Sequence, residues 1–218
     1  SSVSPCGGFE AGRERVNGLR VGVVRRFFFE GHADVIRVVD DALDRLRDHG
    51  AVIMDLDIPD LEDAHAAART TFVEATAVHE DDLRERADAF SDEVRAKIEA
   101  ALETRATKYA RAQHFRRGFT NRVEQLLSEC DVLACPTATI AAAPFHRRPE
   151  DYGLHSWKNT GIFNLTGHPS VSVPCGFTRN GLPVGLMLTS GLFSNWKLLE
   201  IADACEGVLG QDGVHPSL

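Results

Sequence analysis

Two short clusters in this chain combine residue types that can do chemistry, and the first is the run His79, Glu80, Asp81 and Asp82. An imidazole and three carboxylates are side chains that bind metal ions. Adjacent residues on a helix point in different directions, however, so these four cannot converge on one ion without partners from elsewhere. A solvated helix face is therefore the better interpretation, and we predict no metal site.

The second cluster is the pair His155 and Ser156, which places a base beside a hydroxyl. Hydrolytic triads are assembled by spatial geometry rather than by adjacency, and the sequence shows no acid that would orient this histidine. The patterns GxSxG, GxGxxG and HExxH and the Walker loop are all absent. We therefore predict no catalytic residue and no cofactor within this chain.

Five cysteines are spread along the chain without a CxxC pair, at Cys6, Cys130, Cys135, Cys175 and Cys205. An odd number without regular spacing does not describe a disulfide framework. Reduced thiols in a cytoplasmic protein are the simplest account. Cys135 and Cys175 lie in apolar strand patterns, so we predict that they are small core side chains rather than nucleophiles.

The overall composition is that of an ordinary globular protein, because 43% of the 218 residues are hydrophobic and 26% are charged. A formal net charge of −8 argues against a nucleic-acid partner, since phosphate contacts need clustered Lys and Arg. The longest apolar runs fall well short of the roughly 20 residues that a membrane span requires, so no membrane association is predicted. The chain begins at Ser1 without a secretory pattern, which we interpret as the trimmed end of something longer.

Any site must be positioned by a fold whose first part reads as strand, helix and strand. Residues 1–18 are rich in Gly, Ser and charge and lack periodicity, so they are predicted to form a linker or tail. Residues 19–24 read as a buried strand, residues 34–50 as an amphipathic helix and residues 51–58 as a second strand. This order predicts a right-handed βαβ unit with a parallel strand pair, within a single domain over residues 19–218.

A long Ala-rich and charge-rich region, residues 61–127, contains no Pro and no Gly before Gly118. This composition favours two or three helices, with breaks near Phe90 and Ser91 and around Gly118. Within this region Glu74 lies in an apolar stretch and needs a partner if it is buried. We therefore predict a structural hydrogen bond for Glu74.

The second part of the chain adds strands and turns. Residues 131–135 read as a short apolar strand that Pro136 ends, and residues 137–154 carry enough Pro and Gly to form a loop. The Asn-Gly pair at residues 180–181 predicts a hairpin between two further strands, and residues 198–209 are periodic like an amphipathic helix. Together the elements predict an α/β fold, a mixed β-sheet covered by helices.

The most specific stretch of the chain is residues 163–176, with the sequence FNLTGHPSVSVPCG. Together with the strand at residues 19–23 and the run DVLACPT at residues 131–137, it closely resembles the C-terminal half of the amidase signature family. The resemblance covers nearly the whole chain and implies a partial α/β/α amidase sandwich. Within the motif, Gly167 and Pro169 are predicted to set a sharp change from helix to strand.

The resemblance implies hydrolysis of carboxamide C–N bonds by a serine nucleophile, a second serine in a cis peptide linkage and a lysine that relays the proton. A hydroxyl is a poor nucleophile until a base removes its proton, and a neutral, desolvated lysine can serve. In the family these groups come from a Gly-Gly-Ser-Ser-Gly-Gly type loop and an upstream lysine. Here the Gly pair at residues 7–8 is followed by Phe9, the only Ser-Ser pair is at residues 1–2, and the four lysines match other parts of the family. The triad is therefore expected in a missing N-terminal half, and this chain alone is predicted to be inactive.

Residues that line the substrate are also implied by the resemblance. In amidotransferase-type relatives, an Arg on the helix before the Asp-Val-Leu strand and an Asp before the Asn-Leu-Thr-Gly stretch hold the amino-acid end of glutamine. Arg116 matches the arginine, whereas Trp157 occupies the aspartate position. An indole cannot neutralise a substrate ammonium, so a glutamine-dependent tRNA amidotransferase is the less favoured subtype. Trp157 either floors a pocket for an apolar or aromatic amide or covers the core, and Pro136 and Thr137 are expected to border the same cleft.

Two classes of function remain open at this point. In the first, the chain is the C-terminal half of an amidase that acts on a small-molecule amide in the cytoplasm. In the second, it is a non-catalytic truncated module that pairs with a partner chain. Exposed edge strands and apolar faces left by the missing half would also favour self-association into a homo-oligomer. An upstream reading frame that encodes the lysine and the Ser-Ser loop supports the first class, and an authentic start codon just before Ser1 supports the second.

Overall fold

The computed structural model describes residues 16–144, 157–211 and 213–214. Within them the chain forms five strands and eight helices, with one further 3-10 turn at Ala87–Ala89. The strands are β1 (Arg20–Val23), β2 (Val52–Asp55), β3 (Val132–Pro136), β4 (Ser170–Phe177) and β5 (Pro183–Thr189). The helices are α1 (Arg25–Phe28), α2 (Ala33–Asp48), α3 (Leu61–Ala68), α4 (Thr71–Glu85), α5 (Asp92–Leu102), α6 (Ala106–Glu129), α7 (Lys158–Thr166) and α8 (Asn195–Leu209).

The strands form one mixed sheet in the order β2-β1-β3-β5-β4. β1 is parallel to both β2 and β3, while β5 is antiparallel to β3 and to β4. The predicted βαβ unit is confirmed, with α2 as its crossover helix. The predicted hairpin is confirmed as well, because Gly181 turns between β4 and β5 with a φ of +75° that suits glycine.

Helices cover both faces of this sheet and enclose two apolar cores. α2 and α8 pack on one face and contribute to the first core, whereas α3, α6 and α7 pack on the other face and contribute to the second. The amphipathic helix α2 buries the residues Val35, Val38, Val39, Ala42, Leu43 and Leu46. This arrangement confirms the predicted fold class, a mixed sheet covered by helices in a partial α/β/α sandwich.

The region predicted to contain two or three helices contains four, α3 to α6. The predicted break near Phe90 and Ser91 is correct, since the Ser91 side chain caps the start of α5. The predicted break at Gly118 is wrong, because α6 continues through it. Phe115 and Phe119 of α6 stack on each other with ring centroids 5.6 Å apart, and Phe119 is fully buried. Packing of these rings outweighs the low helix propensity of glycine.

The motif at residues 163–176 forms the end of α7 and most of β4. Gly167 ends the helix with a φ of +80°, and its N–H donates to the carbonyl oxygen of Phe163 at 2.8 Å. β4 begins three residues further on, directly after Pro169. The predicted sharp change from helix to strand is therefore confirmed, and it depends on a left-handed residue that glycine tolerates.

The predicted tail, residues 1–18, lies mostly outside the described residues. Val16 is the first residue that the structure describes, and it is fully buried in the first core. The N–H of Gly18 donates to the carbonyl oxygen of Gly50 at 2.9 Å, which fixes this segment against the end of α2. In the predicted loop, the described residues 137–144 form no helix or strand.

Candidate functional site

The carboxyl ends of β1 and β3 meet at one edge of the sheet, and the chain connections diverge there. From β1 the chain crosses through α2 to β2 on one side, while β3 lies on the other side. In open α/β sheets the crevice outside such strand ends is the usual place for a ligand. Two of the four predicted substrate-binding residues, Pro136 and Thr137, lie at this edge.

Asn159, near the start of α7, ties the end of β3 to α1, the helix that follows β1. Its side-chain amide donates to the carbonyl oxygens of Phe28, at 3.0 Å, and of Pro136, at 2.7 Å. The side chain is fully buried, and its Oδ1 has no hydrogen-bond partner among the described residues. A buried carbonyl without a partner is unfavourable and calls for an explanation, so Asn159 is an unsatisfied polar group beside the end of β3.

An aromatic group lies beside the same strand ends, and it comprises Phe27, Phe28, His65, Trp157 and Phe163. Trp157 stacks on His65 with ring centroids 4.6 Å apart, and Phe28 stacks on Phe163 at 5.7 Å. The ring of Phe27 lies 5.9 Å from that of His65. Phe27 has a φ of +74°, which is strained for a bulky residue, and such strain is concentrated at functional sites.

Trp157 is half-buried and closely fitted to α7. A Cβ atom at Gly161 would meet the indole Cε3 at 2.6 Å, so the ring fills the space that a larger residue would need. The ring nitrogens of His65 are buried and make no hydrogen bond of good geometry with the described residues. The backbone of Lys158 has only a minor influence on the pKa of the ring. Burial lowers the pKa of His65, and the charge of Arg69 acts in the same direction. The indole of Trp157 therefore stacks on a neutral imidazole, that of His65.

Lys158 is a mostly buried cation beside the aromatic group. Its Nζ lies 4.3 Å from the centroid of the Phe27 ring and 2.8 Å from a carboxylate oxygen of Glu30. The hydrogen bond from Lys158 lowers the pKa of Glu30, so the two side chains form a charged pair. Through this pairing, Lys158 anchors the start of α7.

A cleft of about 290 Å³ opens between α7 and the hairpin of β4 and β5. Thr137 lines the cleft, and its hydroxyl lies 2.6 Å from that of Ser172 on β4. Ser170 pairs with Thr189 in the same way, at 2.8 Å. Asn164 of α7 is exposed on the opposite wall. The lining carries no Asp, Glu, Lys or Arg, so the cleft suits neutral polar groups.

His168 lies at the base of this cleft in a network that the sequence did not reveal. Its Nε2 lies 2.8 Å from Oε1 of Glu124, and its Nδ1 lies 2.8 Å from the hydroxyl of Thr166. The same Glu124 oxygen accepts the N–H of Leu192 at 2.8 Å. Burial lowers the pKa of His168, while Glu124 opposes the shift. The network joins α6, the turn before β4 and the loop before α8, which is a structural role.

Arg116 is engaged by another side chain of the protein. Its Nη1 lies 3.4 Å from Oε1 of Glu74, which also accepts hydrogen bonds from Tyr109, at 3.1 Å, and from Gln113, at 2.9 Å. The predicted structural hydrogen bond of Glu74 is therefore confirmed. The pairing also means that an anionic ligand at Arg116 would have to displace the Glu74 carboxylate.

A larger hollow, of about 540 Å³, runs along α6. Its lining comprises Ala110, Arg111, His114, Phe115, Gly118 and Arg122. None of the four predicted residues lines it, and Arg122 is already paired with Asp60. A groove on one helix does not bring together groups from different elements, so the strand-end crevice and the adjoining cleft form the candidate site.

The structure brings three of the four predicted residues to this candidate site. Pro136 ends β3 and Thr137 follows it, Trp157 directly precedes α7, and Arg116 lies on α6 against Glu74. The roles of all four in substrate binding stay predictions. Sequence reasoning missed Asn159, whose contact with Phe28 joins residues 131 positions apart and leaves no local signal.

The first cluster, residues 79–82, does not contribute to the site. Residues 79–82 lie on α4, where Arg84 pairs with Glu80 and Asp81, and His79 lies 3.4 Å from Asp82. Across the described residues, no group of three or more His, Cys, Asp and Glu side chains could hold a metal ion. Nor does that part of the chain include a helix whose length and hydropathy would let it cross a membrane. His155 and Ser156 lie outside the described residues.

Comparison with known proteins matches residues 3–199 to the amidase family. A glutamyl-tRNA(Gln) amidotransferase subunit of Halorhodospira halophila is 34% identical, over 85% of this chain and 44% of its own length. An amidase of Pseudomonas putida is 31% identical, over 77% of this chain and 38% of its own length. A crystal structure of an amidase matches 87% of this chain and 45% of its own with a TM-score of 0.77, at 23% identity. At that identity the structural match shows the fold alone.

These matches and the architecture define an α/β enzyme fold of the amidase type. The chain belongs to the amidase family, and it corresponds to the C-terminal portion of its relatives. It spans less than half the length of the curated relatives named here, 44% and 38% of them. The resemblance drawn from residues 163–176 is thereby confirmed.

Proposed function

We propose that this chain is the C-terminal, pocket-bearing portion of an enzyme that hydrolyses linear carboxamide C–N bonds. The observation that carries the proposal is the family match over residues 3–199, which lies on the C-terminal portion of relatives about twice as long. This portion would supply walls of the substrate pocket. They are the ends of β1 and β3, the start of α7 and the adjoining cleft. The groups that react with the amide would be supplied by polypeptide outside the matched portion.

The described residues support this division of labour, because they offer no activated nucleophile. Among them, no Ser hydroxyl forms a hydrogen bond with a Lys or His side chain; that of Ser172, for example, pairs with Thr137. Lys97, Lys158 and Lys197 are each paired with a carboxylate. A serine needs a base at hydrogen-bond distance to become a nucleophile. The Ser-Ser-Lys mechanism of the family is therefore proposed for the complete enzyme.

For the substrate we propose a neutral amide with an apolar or aromatic body. Trp157 stands where the resemblance places the carboxylate that holds an ammonium, and it is backed by neutral His65. Arg116, the matching cation, is neutralised by Glu74. An α-amino acid amide would find neither counter-charge free, whereas an aryl or alkyl group could stack on the indole. This favours the type of activity that the name of the Pseudomonas putida relative gives over that of the Halorhodospira halophila relative.

The purified chain provides a direct test. We expect no hydrolysis of neutral carboxamides by the chain alone and no labelling by a serine-directed fluorophosphonate. The gene is the matched control, since an upstream reading frame with the lysine and the Ser-Ser loop should yield a longer protein that is labelled and active. Turnover by the chain alone, abolished by replacing one of its own residues, would show that catalysis resides within it.

A further inference from the structure

One part of α6 is strongly cationic, although the chain as a whole has a formal net charge of −8. Residues 105–122 contain six Lys and Arg and no Asp or Glu. Two of these cations are paired with carboxylates of neighbouring segments. Lys108 and Arg111 are exposed, and neither forms an ion pair with any residue that the structure describes. This side of α6 therefore carries positive charge that the described part of the chain does not balance.

The hollow of about 540 Å³ runs along the same side of α6. Arg111, His114, Phe115 and Gly118 are among its lining residues, and we call them the cationic face of α6. A Cβ atom on Gly118 would meet nothing within 4 Å, so a foreign side chain has room there. Because the hollow lies along a single helix, it suits a second helix laid in the groove. The composition of the face calls for an occupant that is both apolar and anionic.

The exposed face of α8 has that complementary composition. Trp196 is 75% exposed and Leu199 is 48% exposed, while Phe193, just before the helix, is 95% exposed. Three carboxylates without an ion pair among the described residues follow on the same helix, at Glu200, Asp203 and Glu206. Exposed aromatic groups beside polar residues are typical of protein interaction surfaces. We call this surface the acidic face of α8.

The two faces also match in their spacing. Arg111 and Gly118 are seven residues apart on α6, which corresponds to about two turns and roughly 10.5 Å. Trp196 and Asp203 have the same separation on α8. Antiparallel packing of the two helices therefore places the indole of Trp196 over Gly118 and, at the same time, the carboxylate of Asp203 beside Arg111.

We propose that the cationic face of α6 binds the acidic face of α8 in a second copy of this chain. Within one copy the two faces cannot meet, because α6 and α8 pack on opposite faces of the sheet. A contact between two different surfaces of identical chains repeats head to tail, so it builds rings or filaments rather than a twofold dimer. The inference goes beyond the proposed function, since it holds whether or not the complete enzyme hydrolyses amides.

Sedimentation velocity of the purified chain tests this contact. We expect assemblies larger than a dimer that grow with protein concentration and dissociate as salt is added, because salt screens exposed charges. Arg111→Glu and Asp203→Arg each reverse one charge of the contact, and each should weaken the association about tenfold or more. Arg117→Glu on α6 and Asp48→Arg on α2 make the same changes at exposed positions outside the two faces, so these controls should assemble like the wild type.

Combinations of the two variants give results that a folding defect cannot produce. A chain carrying both Arg111→Glu and Asp203→Arg has an opposite-charge pair again, with the signs exchanged, and should recover most of the lost association. The two single variants, mixed in equal amounts, should form a dimer and nothing larger, because one intact face of each kind is available. Circular dichroism checks that every variant is folded.

The inference is wrong if the wild-type chain stays monomeric up to its solubility limit, or if its assembly stops at a twofold dimer. Charge reversals that leave the association unchanged would show that another surface holds the copies together. Loss of association in the single variants without recovery in the double variant would contradict the pairing of Arg111 with Asp203. Assemblies larger than a dimer in the mixture of single variants would contradict the head-to-tail contact.

Discussion

Glu74 and His65 represent two different environments for polar groups at helix interfaces. The carboxylate of Glu74 accepts hydrogen bonds from Tyr109, Gln113 and Arg116, so one oxygen connects α4 to more than one turn of α6. The ring nitrogens of His65, by contrast, are buried between Phe27 and Trp157 without a good hydrogen bond from the described residues. Satisfied and unsatisfied groups should respond to substitution with opposite signs.

Replacing Glu74 with Ala removes the shared acceptor. We expect a loss of about 1 kcal/mol in the free energy of unfolding, because three donors lose a partner but the site is open enough for water to replace part of it. Glu80→Ala on the same helix is the control, since its exposed pair with Arg84 contributes only about 0.3–0.5 kcal/mol. Urea unfolding measures both variants. Equal effects would contradict a special role for Glu74.

His65→Phe keeps the aromatic stack and removes two buried nitrogens, so it should stabilise the chain by about 1 kcal/mol. The gain should also depend on pH. Burial lowers the pKa of His65, so the unfolded chain binds a proton more readily than the folded one. The contribution of His65 to the stability of the wild type therefore falls as the pH drops through about 6.5 toward the lower folded-state pKa. The difference between variant and wild type, measured by urea unfolding across this window, should grow toward low pH, and a constant difference would contradict the assignment.

At the scale of elements, two glycines within helices have opposite surroundings. Nothing lies within 4 Å of a Cβ atom placed on Gly118 of α6, whereas a Cβ on Gly161 of α7 would meet the Trp157 ring at 2.6 Å. Gly118→Ala should therefore stabilise the chain by about 0.5–1 kcal/mol through helix propensity alone. Gly161→Ala should destabilise it by about 1–3 kcal/mol by forcing the indole to move.

Thermal unfolding measures both glycine variants, and tryptophan fluorescence reports on the indole. The emission of Gly161→Ala should change in the native state, while that of Gly118→Ala should not. Since each variant makes the same substitution inside a helix, propensity cancels in the comparison. Destabilisation by both variants would show that the close fit of Trp157 to α7 is not the reason.

The elements that the sequence predicted correctly are those with a local cause. The βαβ unit follows from alternating and helical periodicities, and the hairpin follows from an Asn-Gly pair. The break wrongly placed at Gly118 depends on the stacking of Phe115 and Phe119, which is a property of packing. In the candidate site, Thr137 and Trp157 were named through a family resemblance. Asn159 could not be named, because its contacts join α1 and the end of β3, which only the folded chain brings together.

At the scale of the whole molecule, one sheet serves two cores. Along β3, Val132 and Ala134 face the first core, while Leu133 and Cys135 face the second. A strand cannot leave one core without leaving the other. We therefore expect the two faces to unfold together, as the predicted single domain over residues 19–218 requires.

The buried cysteines can test this cooperativity, since Cys130 and Cys135 lie in the second core and Cys175 and Cys205 in the first. The predicted core positions of Cys135 and Cys175 are confirmed by their burial. Burial raises the pKa of Cys175 and of Cys205 to about 12 and also raises the pKa of Cys130 and Cys135. These four thiols should therefore be inert to Ellman's reagent in the native protein.

In a Cys6→Ser background, the four remaining thiols should react with one rate constant that follows the equilibrium of global unfolding. Gly118→Ala serves as the control, because stabilising a helix of the second core should slow thiols of both cores by the same factor. Mass spectrometry of partly labelled protein identifies which thiols react first. Faster labelling of one pair, or slowing confined to Cys130 and Cys135, would show that the two faces open independently and that the chain is not one cooperative domain.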